Sequence, residues 1–172
     1  MIIKQGDIFE VRLLEGLYAY FQYISKDSCL LSSDVIRIFK KQHESRPSID
    51  IIISDSVDCH LHTSIKAGIN KHLWSKIGNG AIIGGVDLRF RDSNDYGKYP
   101  NQVIASKDWV VWELNGVRKE VGDLPKDYYT ADIGVITPPE HVVFRISKKN
   151  CSENIVSDRI ECLLTNCHWH RA

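Results

Sequence analysis

Cys59, His60 and His62 stand almost side by side, and Cys162, Cys167, His168 and His170 crowd the end of the chain. A Cys-x-x-His spacing occurs at 59–62 and again at 167–170, so Cys59, His62, Cys167 and His170 could together supply the thiolate and imidazole ligands that a tetrahedral zinc site takes. That site requires distant parts of the chain to meet, and neither cluster repeats the two-residue ligand spacing of a zinc ribbon or finger. Two polar loops explain the same residues, so the expectation is no metal and no cofactor.

A nucleophile with a base is the next chemistry to consider. No Gly-x-Ser-x-Gly elbow is present, and Gly78-Asn79-Gly80 and Gly84-Gly85 lack the following Lys and the helix start that a phosphate loop needs. The carboxylate pairs Asp92 with Asp95 and Asp123 with Asp127 lie in turn-rich stretches, where Asp ordinarily bonds its own backbone. No catalytic set emerges, and the chain reads as a non-enzyme. A third possibility is a small β-barrel that binds single-stranded nucleic acid, with Arg37, Lys40, Lys41 and Arg46 as the basic groove and Tyr18, Tyr20 and Tyr23 as stacking platforms. A solvated strand edge accounts for the same charges.

The elements that would position these groups are mostly strands. In GDIFEVRLL, Phe9, Val11 and Leu13 share a face; Glu15-Gly16 supply a turn; LYAYFQYI then returns with Leu17, Ala19, Phe21 and Tyr23 opposite Tyr18, Tyr20 and Gln22. DVIRIF at 34–39 and the β-branched run IDIII at 49–53 read as further strands, separated by a polar loop closed by Pro47. Between 61 and 77 the period changes. Leu61, Ile65, Ile69, Leu73 and Ile77 recur every four residues and predict an amphipathic helix, with Thr63 as its cap and Gly78 at its end, although Gly68 weakens it. Strands follow at VDLRFR and at WVVWEL, the latter turning at Asn115-Gly116 into VRKEVG. A single helical turn is predicted around 126–132, Pro138-Pro139 is read as a helix stop, and HVVFRI as a closing strand with Val142, Phe144 and Ile146 inward. The fold class expected is mainly β: an antiparallel curved sheet, small barrel or sandwich with one amphipathic helix, spanning 1–150 as one domain, with 151–172 as a C-terminal extension.

Length and composition bound this reading. A chain of 172 residues suits one domain and would bury about 70% of its unfolded surface, enough for a core without staples. The 43% apolar content and 26% charged content exclude a disordered or coiled-coil class, and 22 basic against 22 acidic residues argue against a general polyanion binder. No leader or membrane span is legible, and five irregularly spaced cysteines suggest reduced thiols, so the expected location is cytoplasmic.

The opening GDIFEVRLLEGLYAYFQYI resembles the start of the bacterial immunity protein 26 family, in which a Gly-Asp leads into an aromatic and apolar strand, a short Gly turn and a second aromatic strand. KDWVVWELNG, VGDLPKDYY and GVITPPEHVVFRI are similar to that family's Trp-bearing strand, short Gly-Leu connection and closing strand after a proline, so the resemblance covers about residues 4–147. It implies a mainly β, non-enzymatic protein that binds a cognate polymorphic toxin and occludes its active site or a nearby surface. It transfers no residue set, because Gly6, Asp7, Trp109 and Trp112 serve the fold equally well. Interface physics adds a candidate surface. Protein partners anchor on aromatic side chains ringed by polar groups, which singles out Asp92, Asp95 and Tyr96 in one loop and Asp127, Tyr128, Tyr129 and Asp132 in another. An acidic, aromatic patch would suit a toxin with a basic active site, such as a nuclease.

Overall fold

The computed structural model describes residues 2–84, 88–94 and 106–148. The first hairpin forms as its alternation predicts. Strands β1 (Asp7–Arg12) and β2 (Tyr18–Asp27) pair antiparallel across a 3-10 turn at Leu14–Gly16, with Phe9 opposite Phe21 and Val11 opposite Ala19. Strands β3 (Ser33–Phe39), β4 (Val57–Thr63) and β5 (Ser75–Asn79) complete a five-stranded antiparallel sheet in the order β4-β3-β2-β1-β5. A second sheet holds β6 (Arg89–Ser93), β7 (Trp109–Glu113), β8 (Lys119–Gly122) and β9 (Asp132–Ile133) in the order β8-β7-β6-β9. Among the described strands β6 and β9 pair parallel, and an isolated parallel bridge joins His62 to Ile136. The mainly β class is therefore correct, with three α-helices among the described residues in place of the single one expected.

Three segments depart from the sequence expectations, each for an identifiable reason. IDIII is not a strand but helix α1 (Ile49–Ile53), begun after Pro47 by Ser48, whose carbonyl accepts from Ile52 N–H at 3.2 Å. Ile49, Ile52 and Ile53 have the i, i+3, i+4 spacing that lays one helical face on Ile8, Tyr20 and Phe39, and that packing overrides their β propensity.

The helix expected over 61–77 shrinks to α2 (Ile65–Asn70) between two strands. A four-residue repeat keeps one face of a helix, but four is also even and keeps one face of a strand, so Leu61 belongs to β4 and Ile77 to β5. Ser64, not Thr63, caps α2, its hydroxyl accepting from Ala67 N–H at 3.3 Å. His72 at φ 57° turns the chain back, and the Trp74 ring lies on Gly68 so closely that a Cβ there would sit 1.9 Å from it. The indole N–H donates to Ile65 carbonyl at 3.0 Å, so Gly68 serves close packing.

HVVFRI belongs to helix α3 (Pro139–Ser147). Pro139 occupies the first helical position, where its missing N–H costs nothing and its fixed φ is already helical, so the proline pair starts this helix instead of stopping one. Val142 and Ile146 turn inward one helical turn apart, while Phe144 points outward at 46% exposure. The hairpin at Asn115-Gly116 and the single turn at Lys126–Tyr128 form as predicted.

The larger sheet is covered on both faces. Phe9, Val11, Phe21, Ile36, Ile38, Cys59 and Leu61 pack on one side with Ile65, Trp74 and the inner residues of α3, an apolar core in which Phe9 and Phe21 stack at 5.0 Å. The opposite side meets α1 at one end and the second sheet at the other. Asn115 clips the two sheets together: its side chain accepts from Ser28 N–H at 2.8 Å and donates to Lys26 carbonyl at 3.1 Å, just beyond and at the end of β2. No helix among the described residues is long and apolar enough to cross a membrane. The expected extension, 151–172, lies outside the described residues.

Candidate interaction surface and the buried seam behind it

Strand β6 carries the arrangement of most interest because its alternation sends Phe90 to one side and Arg89 and Arg91 to the other. Phe90 is fully buried, with its ring 4.4 Å from that of His62 on β4 and 6.0 Å from Trp112 on β7. Gly134 lets the chain after β9 pass against the Trp112 ring, where a Cβ would stand 2.0 Å away.

Around His62 lies a polar seam between the sheets. His62 is inaccessible to solvent; its Nδ1 is 3.0 Å from Ser33 Oγ and 3.9 Å from Asp27 Oδ2. Asp27 Oδ1 accepts from the amides of Cys29 and Leu30, at 3.2 and 3.0 Å, while its Oδ2 and His62 Nε2 have no hydrogen-bond partner among the described residues. Burial pulls the His62 pKa down to about 4 against the smaller opposing attraction of Asp27 and Asp132, so the ring is neutral at pH 7. Ser, His and Asp are the components of a hydrolytic triad, but the geometry differs. Serine and carboxylate both approach Nδ1 instead of flanking the ring on its two nitrogens, and the group is sealed from substrate.

Farther along the same face of β4, His60 Nδ1 lies 2.9 Å from Asp132 Oδ2 and its Nε2 accepts from Arg37 Nε at 3.3 Å. With Arg37 donating to Nε2, Nδ1 is the ring nitrogen turned to the Asp132 carboxylate. Arg37, itself buried, also donates to Ile83 carbonyl at 2.6 Å, and burial draws its pKa below the ordinary value.

On the outward side of β6, two cations lie over aromatic rings. The Arg89 guanidinium is 5.8 Å from the centre of Tyr128, and that of Arg91 is 5.6 Å from the centre of Trp109. Tyr129, next in the turn, is 57% exposed, and Asp127 is exposed beside it. Rings and guanidinium groups held in this way present large contact area with little rotamer freedom left to lose.

The candidate residues thus separate. Asp127, Tyr128 and Tyr129 come together on one turn. Asp132 is corrected: it faces the larger sheet and is spent on His60. Asp92 follows Phe90 by two positions and shares its inward side of β6, so it does not join the Tyr128 turn. Asp95 and Tyr96 lie outside the described residues.

The zinc alternative loses its geometry at the first ligand pair. Cys59 lies with Leu61 in the apolar core, whereas His62 points into the seam, because an odd separation on a strand puts the two on opposite faces. Cys167 and His170 lie outside the described residues, and among the described residues no group of three His, Cys, Asp or Glu side chains is placed to hold a metal.

The basic and tyrosine groove proposed for nucleic acid is dispersed. Arg37 is buried, Arg46 is bonded to Glu10 through both Nε and Nη2 at 2.7 and 2.9 Å, and Tyr20 is buried with its hydroxyl toward the same Glu10. The Arg46 bonds hold the Glu10 carboxyl below its usual range despite burial, and burial beside Glu10 pushes Tyr20 up to about 12. Tyr23 sits on the other face of β2 from Tyr18 and Tyr20.

Sequence reasoning missed the exposed Arg89 and the half-buried Arg91 and Trp109 as groups of this face. The signal was present as the Arg-Phe-Arg alternation, which was used only to define a strand. It also missed Asp27 and Ser33, which only the fold brings to His62. No protein-family model, curated protein or solved structure matches the chain.

Proposed function

We propose that the chain is a toxin-neutralising immunity protein that binds its partner with the outward face of the second sheet, blocking the toxin's active site or a surface next to it. The observation that carries this reading is the pair of Arg-on-ring contacts, Arg89 with Tyr128 and Arg91 with Trp109, beside the exposed Tyr129. Trp, Tyr and Arg are the side chains that dominate protein contacts, and here they are gathered on two adjacent strands, β6 and β7, and one turn. The resemblance of the β1–β2 hairpin and the Trp109 strand to the immunity protein 26 family supplies the class of partner. Because Asp132 is turned inward, the contact is aromatic and guanidinium-based, with Asp127 as an acidic neighbour, and not the wholly acidic patch expected from the sequence.

The experiment is co-production with the toxin domain encoded by the adjacent gene. The expected result is protected growth and a one-to-one complex in size exclusion with light scattering. Absence of both, with salt-sensitive binding of single-stranded oligonucleotides in their place, would replace this reading by the nucleic-acid one.

A further inference from the structure

Where β4 turns into α2, the larger sheet ends in an open cavity of about 540 Å³. Its polar side is a cross-strand row, since Lys26 stands opposite Asp34 on β3 and Asp34 opposite Thr63 on β4. The Tyr23 ring, Ile3 and Ile136 supply apolar wall, and Ser32 and Lys66 complete the rim.

Most polar groups here are already engaged. Asp34 Oδ2 accepts from Ile65 N–H at 2.9 Å, Thr63 Oγ1 donates to Thr137 carbonyl at 2.8 Å, and Ser33 is bonded to His62. The Lys26 and Lys66 ammonium groups and the Tyr23 and Ser32 hydroxyls are different: none has an ion pair or side-chain hydrogen bond among the described residues. Two lysines against one aspartate leave the cavity with a single net positive charge, which matches a monoanion better than a phosphate dianion. Its volume lies within the range of small-molecule sites, which pair apolar walls with a few directed polar groups.

We propose that this cavity binds a small monocarboxylate with a short apolar body. Lys26 and Lys66 take the carboxylate, Tyr23 or Ser32 donates a further hydrogen bond, and the apolar part lies against Ile3, Ile136 and the Tyr23 ring. The site is separate from the outward face of β6, so it stands or falls independently of toxin binding.

Hexanoate is a suitable probe, titrated into the full chain and followed by amide chemical shifts, with inorganic phosphate and hexanol titrated separately. Saturable shifts at Ser32, Ser33, Asp34 and Ser64 are expected with hexanoate. Phosphate and hexanol, each lacking half of the ligand, should bind about tenfold more weakly or worse. Lys26→Met and Lys66→Met, both at exposed positions, should each weaken hexanoate binding about fivefold or more while leaving the remaining spectrum intact. The proposal is overturned if hexanoate does not saturate, if phosphate binds as well as hexanoate, or if both lysine variants bind it unchanged.

Discussion

The two faces of the larger sheet solve burial in opposite ways. On one, Phe9, Phe21, Ile36, Leu61 and Trp74 form a close-packed apolar core whose single polar tip, the Trp74 indole N–H, is satisfied. On the other, the contact with the second sheet is made through Asp27, Ser33, His60, His62 and Asp132, and two atoms, Asp27 Oδ2 and His62 Nε2, are buried without partners among the described residues. An apolar face gains free energy from any good packing, whereas buried polar groups tolerate few arrangements. The first face therefore holds the fold, and the second sets where β6, with its Arg89 and Arg91, sits against the larger sheet.

Disrupting the apolar face should cost most. Phe21→Ala removes a fully buried ring that stacks on Phe9 and meets Trp74 edge-on at 5.1 Å, so a loss of about 3–5 kcal/mol is expected in urea unfolding. A loss below about 1 kcal/mol would mean that this face is not the stabilising one.

The seam should reveal itself through pH. A histidine whose folded pKa is depressed binds protons more readily when unfolded, so its stabilising effect is complete above pH 6.5 and is lost as pH falls toward about 4. The total for His62 is about 3 kcal/mol. His43, also depressed by burial, adds in the same direction, and Asp7 and Glu10, whose folded values are lowered, add their own loss in more acid solution. The contribution of His62 is isolated by comparing wild type with His62→Gln between pH 6.5 and 5, where about 2 kcal/mol of wild-type stability should disappear and most of that slope should be absent from the variant. Equal slopes would place the pH sensitivity elsewhere.

What the sequence made legible follows from how local each signal is. The β1–β2 hairpin and the Asn115-Gly116 turn are encoded by alternation and turn chemistry within a few residues, and both form, the first in continuous register and the second with a shift between Trp109 and Val110. The isoleucine run at 49–53 and the segment at 141–146 fit either a strand or a helix by their apolar spacing, and what they pack against, Ile8 and Phe39 for the first and the apolar core for the second, decides for the helix. The seam joins residues 27, 33, 62 and 132, a proximity that no local pattern announces. Of the aromatic and acidic candidates, the turn that carries Tyr128 and Tyr129 was legible, because it follows Pro125 in a stretch of turn residues. The inward turn of Asp132 was not, because it depends on His60 across the sheet gap.

Surface changes on the second sheet should have the smallest effect on stability and the largest on binding. The most direct measurement is therefore the affinity of Arg89→Ala/Tyr129→Ala for the proposed partner, a toxin domain encoded by the adjacent gene, by surface-immobilised binding kinetics, alongside its thermal midpoint. The expected outcome is a dissociation constant weakened about hundredfold or more, with stability changed by no more than about 1 kcal/mol. Unchanged affinity in a folded variant would contradict the assignment of this face as the contact surface.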